Sequence, residues 1–111
     1  MATGPEFEAL WELDDGEALH AEFPSTFEIP PASERQALHT GQLVKLIFRI
    51  PIAVKDAAPS VVVERMWVVV GGVYAAKYFG TLNNDARYAK HVVSGLEVEF
   101  EARHVIQIWR E

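Results

Sequence analysis

From Gln42 to Ile50 the apolar residues recur at every second position. Val44, Leu46, Phe48 and Ile50 fall on one side, and Lys45 and Arg49 on the other beside Leu43 and Ile47. A period of two is the spacing of an extended strand, in which successive side chains point to opposite faces. The stretch is therefore predicted to be a strand with one face in a core. Pro51 has no amide hydrogen, so it ends this strand or marks an edge. The pattern returns further on, where Leu96, Val98 and Phe100 alternate with Glu97, Glu99 and Glu101.

Between these runs lies a third, Val61 to Val70. Val61, Val63, Trp67 and Val69 share one face with Arg65, and Val62, Met66, Val68 and Val70 share the other with Glu64. Two apolar faces predict a central strand, or one covered on both sides, with Trp67 in the core. Gly71-Gly72 predicts a two-residue hairpin turn, with Val73 to Leu82 as the returning strand. Asn83-Asn84-Asp85 reads as a second turn, with Asp85 and Arg87 placed for a local ion pair. Residues 86–93 are a helical turn or a loop, and residues 103–109 close the chain.

Upstream, residues 1–22 are acidic, with Phe7, Leu10, Trp11 and Leu13 among Glu6, Glu8, Glu12, Asp14, Asp15, Glu17 and Glu22. Asp14-Asp15-Gly16 reads as a turn, and the segment as a short hairpin or an irregular arm. After Pro30-Pro31, residues 32–38 favour a helix of about two turns that ends before Gly41. Thr40-Gly41 and Ser94-Gly95 stand in matching positions, each with Val three residues after the Gly. They predict two lead-ins to strands of one sheet, with Gly supplying a positive φ. The expectation is one mainly β (α+β) domain over residues 1–111: residues 1–22 as arm or hairpin, then a β-rich core over 23–111. Its sheet would be small, antiparallel and strongly bent, or an SH3-like partial barrel, with one or two short helices.

The chain has no Cys, which removes disulfides, thiolate metal sites and a thiol nucleophile and fits a reducing cytoplasm. No basic, apolar leader opens it, so no secretory signal is expected. No apolar run nears the roughly 20 residues of a membrane span. A formal charge of −6, from 16 acidic and 10 basic residues, is repelled by phosphate backbones and speaks against nucleic acid. A basic protein partner fits that charge better.

No arrangement of residues marks a catalytic, cofactor or metal site. His20, His39, His91 and His104 lack the i, i+4 spacing and flanking acids of a metal helix. For His104, near Glu101 and Arg103, the ordinary role is a partly buried ring that fixes the turn after the last alternating strand. Asn83 to Asp85 ordinarily cap a turn. Glu97, Glu99 and Glu101 form either a solvated ridge or a docking surface for a basic partner. Two other functions can be written: a small-ligand barrel lined by Trp67, Tyr78, Asn83 and His104, and a hydrolase using His104 with Asp85 or a Glu.

Three segments carry a family resemblance. Glu64-Arg65-Met66-Trp67-Val68-Val69-Val70, then Tyr78-Phe79-Gly80-Thr81-Leu82-Asn83-Asn84-Asp85, then Ser94-Gly95-Leu96-Glu97-Val98-Glu99-Phe100, resemble the layout of the DUF2314-like group of small bacterial proteins. Gly41 to Phe48 is similar to a strand lead-in of that group, and the likeness spans roughly residues 23–106. Ala86 departs from it, since a Pro is usual there. The resemblance implies a β-rich bacterial cytoplasmic domain of the kind that includes toxin-immunity factors, and it carries over no catalytic residue. The expected function is a non-enzymatic interaction domain with a protein partner and no cofactor.

Overall fold

Val44, Leu46, Phe48 and Ile50 have no exposed surface. They lie on strand β2, Leu43–Ile52, in the computed structural model, which describes residues 10–110. The expected residues Glu6, Phe7 and Glu8 of the acidic arm lie outside the described residues. Around β2 are β1 (Glu12–Leu13), β3 (Ser60–Tyr74), β4 (Lys77–Leu82), β5 (Glu97–Phe100) and β6 (Gln107–Ile108). All neighbouring strands are antiparallel, in the order β1-β2-β3-β4-β5. β6 returns to pair with β2 at Val44 and Lys45, on the edge that β1 uses at Phe48 and Arg49. The result is a strongly curled half-barrel, mainly β, with two short helices among the described residues.

The inner face of the barrel is filled. Met66, Val68 and Val70 from β3, Leu82 from β4, and Val98 and Phe100 from β5 meet the β2 set. Leu38, Ala89 and Val92 from connecting segments close the core. Burying each of the larger side chains contributes roughly 1.5–3 kcal/mol. The outer face of β3 is less covered than its apolar content suggests. Val61 and Val63 are exposed. Trp67 is only half-buried, with the Lys45 ammonium 4.7 Å from its ring centre and Trp109 edge-on at 5.7 Å. It belongs to an outer cluster and not to the core.

Gly41 and Gly95 take φ of +94° and +102°, as their matched positions require. The expected hairpin at Gly71-Gly72 is elsewhere. β3 runs through both glycines, and the chain turns at Ala75-Ala76, with φ of +51° and +66°. The reason is face parity. A turn at Gly71-Gly72 would set Lys77 opposite core Met66 and Leu82 opposite exposed Val61, turning β4 inside out. The observed turn alone would also miss by one residue, and a bulge between Val70 and Gly72 absorbs the difference. The glycines serve close approach: a Cβ on Gly72 would sit 2.7 Å from Phe79 Cζ.

Two other expectations shift. Asp14-Asp15-Gly16 opens helix α1, Gly16–Glu22, with Asp15 Oδ1 accepting from Ala18 N at 3.0 Å. Gly16 is buried, and only a glycine fits there, since a Cβ would be 2.8 Å from Ile106 Cγ2. The helix after the prolines, α2, is one turn, Ala32–Arg35. Its last residue turns its side chain inward. Buried Arg35 donates to Pro30 O at 2.8 Å, to Ala102 O at 3.1 Å and to Glu17 Oε2. Tyr78 Oη donates to Arg35 O at 3.1 Å and accepts from Leu38 N. One guanidinium thus ties α1, the proline segment and the 3-10 turn at Ala102–His104 to one another.

The turn and the sheet make opposite demands on small residues. Ala76→Gly relieves a left-handed alanine and is expected to raise stability by about 0.5–1 kcal/mol. Gly80→Ala, whose Cβ would lie 2.2 Å from Val69 O, is expected to lose about 2–4 kcal/mol. Urea unfolding of the two variants checks both signs.

Candidate functional site

β5 is the last strand on its side of the half-barrel. Val98 and Phe100 are buried, while Glu97 and Glu99 are exposed. Leu82 N donates to Leu96 O at 2.8 Å, and the register pairs Gly80 with Val98 and Tyr78 with Phe100. In an antiparallel ladder, bonded and non-bonded pairs alternate. The N–H and C=O groups of Leu96, Val98 and Phe100 therefore face β4, and those of Glu97 and Glu99 face outward. No hydrogen bond from another described residue reaches the amides of Glu97 and Glu99. By the same logic, Asp14 N bonds Ile47 O at 3.0 Å, so the backbone of Leu13 points away from β2.

These two edges, unpaired among the described residues, face a common cleft of about 540 Å³. Leu10, Trp11 and Leu13 form one wall, with Trp11 edge-on to Phe48 at 5.3 Å. Leu96, Glu97, Glu99 and Phe100 form the other, and Glu101, Arg103 and His104 close an end. The cleft has apolar side chains inside and carboxylates on its rim. Glu99 pairs with Lys77 at 3.1 Å and Glu101 with Arg103 at 3.4 Å, all four partly or largely exposed. Such pairs add little stability. Glu97 has no ion pair among the described residues.

At the closed end, His104 Nδ1 accepts from Glu101 N at 2.9 Å. The ring must then carry its proton on Nε2. Burial, helped by the Arg103 charge, holds His104 below its ordinary value of 6.5, against the smaller pull of Glu101 and Asp15. Arg103 also donates to Asp15 Oδ2 at 3.2 Å. Burial alone would raise the Asp15 carboxyl, but the amides of Ala18 and Glu17 and the Arg103 guanidinium outweigh it and hold the group below 3.8. His104 thus fixes the turn after β5, as its place beside Glu101 and Arg103 suggests, whereas the sequence offers no signal that Asp15 lies nearby.

The other singled-out residues lie apart. Tyr78 is buried on the inner face, Trp67 sits on the outer one, and Asn83 is exposed and bonds Trp67 O through its amide. These three do not share the cleft with His104. The turn after β4 is latched to the sheet: Asn84 Oδ1 accepts from Trp67 N at 2.6 Å and Asp85 Oδ1 from Ser94 N at 2.9 Å. Asp85 makes no ion pair with Arg87, whose guanidinium lies over Tyr88. Glu64 instead holds that loop, accepting from the amides of Arg87 and Tyr88. No hydrogen bond joins His104 to Asp85 among the described residues. No cluster of three or more His, Asp or Glu among them could hold a metal ion. No helix among them is long and apolar enough to cross a membrane. No protein-family model, curated protein or solved structure matches the chain.

The unfolded chain binds a proton at His104 more readily than the folded chain does. The stability from the neutral ring is complete above 6.5 and is lost as pH falls below it. The urea midpoint is expected to be lower near about pH 5.5 than near about pH 7.5, and His104→Gln, which keeps an acceptor without titrating, to lose less over that interval.

Proposed function

We propose that the chain is a non-enzymatic interaction domain of the toxin-immunity kind, acting in the bacterial cytoplasm on a basic protein partner. The observation that carries this reading is the rim of Glu97, Glu99 and Glu101 along a strand edge with no partner among the described residues, over an apolar cleft. Opposite charge on a partner speeds encounter and sets register, and the apolar walls supply area to bury. The net charge of −6 favours the same class of partner. The absence of Cys and the likeness to DUF2314-like proteins support the cytoplasmic, bacterial setting.

The test uses the protein encoded beside this one. Glu97→Lys/Glu99→Lys changes exposed groups only and is expected to leave folding intact. It should weaken binding of a basic neighbour at least about tenfold, mainly through a slower, less salt-sensitive on-rate. Unchanged binding and salt dependence, measured by surface plasmon resonance, would remove the acidic rim from the interface.

A further inference from the structure

Resting on the reading above, we infer that the partner enters as an extended segment that adds a strand to β5, with basic and apolar residues alternating along it. Three observations meet at this edge. The backbone groups of Glu97 and Glu99 point out of the sheet with no described partner. The opposite wall of the cleft is also a strand edge, with the Leu13 backbone directed away from β2. Among the described residues, the half-barrel is open between these two strands.

Strand addition dictates the occupant's pattern, because residues opposite each other across a sheet share a face. Side chains opposite Glu97 and Glu99 would stand on the outer face beside carboxylates, so Lys or Arg belongs there. The alternate side chains would point inward, on the side of Val98 and Phe100, toward Trp11 and Leu13. That position calls for Val, Ile or Leu. Main-chain hydrogen bonds give such complexes their affinity, and the alternate side chains their selectivity. Residues 1–9 of this chain fit the edge poorly. Glu6 and Glu8 would bring carboxylates to carboxylates, and Pro5 has no amide to donate.

The probe is a capped peptide of about ten residues alternating Lys and Val, with a block peptide of five Lys then five Val as control. By NMR titration the alternating peptide should bind at least about tenfold more tightly than the block peptide and slow exchange at the Glu97 and Glu99 amides. Two further versions carry N-methyl groups on the even or the odd residues. One version should lose binding and the other retain more of it, because only one set of amides faces β5.

Equal binding of alternating and block peptides, or of the two N-methyl versions, overturns strand addition. If the alternating peptide then still loses affinity to Glu97→Lys/Glu99→Lys, the acidic docking surface stands without it. No binding at millimolar peptide and low salt also overturns the inference. So does slow exchange at Glu97 and Glu99 in the peptide-free protein with cross-strand NOEs to residues 1–9, which would place the chain's own N-terminus in the cleft.

Discussion

Strand β2 is paired along both edges, and the rest of the molecule takes its position from that constraint. One edge carries β3 over ten residue pairs, from Leu43 with Val69 to Ile52 with Ser60. The other is shared between β1 and β6, which come from opposite ends of the described chain. Once Val44, Leu46, Phe48 and Ile50 are buried, a slip of one residue in any partner would send its apolar set to solvent. This is why β3 carries a bulge at the glycines and why the hairpin can turn at two alanines that disfavour the required geometry. Packing decides the register, and the turn conforms.

The helical cap is held by polar groups and not by apolar area. α1 has a single buried residue, Gly16, and α2 a single one, Arg35. Neither helix has a continuous apolar stripe, so neither would be stable alone. Arg35 makes up for this by joining Glu17 and Ala102, both distant in sequence, and the nearby Pro30, while Arg103 bonds Asp15 across the same region. A buried guanidinium with several acceptors is costly to disturb, because removing it strands its partners.

The strands were legible in the sequence wherever one face is buried and the other wet. β2 and β5 read directly, and Gly41 and Gly95 read correctly because a left-handed turn leaves few other residues. Gly71-Gly72 misled because a hairpin turn and a bulge draw on the same residue, and only pairing with β4 distinguishes them. α1 was hidden because an Asp-Asp-Gly sequence serves a turn and a helix start alike. The cleft could not be read at all. Glu97, Glu99 and Glu101 were visible as an acidic strand face, but whether that strand is an edge depends on strand order, which is set by contacts far apart in the chain. Trp67 misled because its apolar bulk suggests burial, whereas a lysine stem and a second indole cover it only in part.

The placement of β6 bears on how the protein is made. During synthesis β2, β3 and β4 can form their meander early, since their contacts are nearly local. The second edge of β2 at Val44 and Lys45 then stays open until Gln107 and Ile108 have left the ribosome. Arg35 likewise waits for the Ala102 carbonyl and Asp15 for Arg103. From the emergence of β2 until β6 follows it, the nascent chain therefore presents an apolar strand with a partly unsealed side, the kind of surface that invites association with other chains. The last two-residue strand ends that exposure, which gives it an importance for folding yield out of proportion to its length.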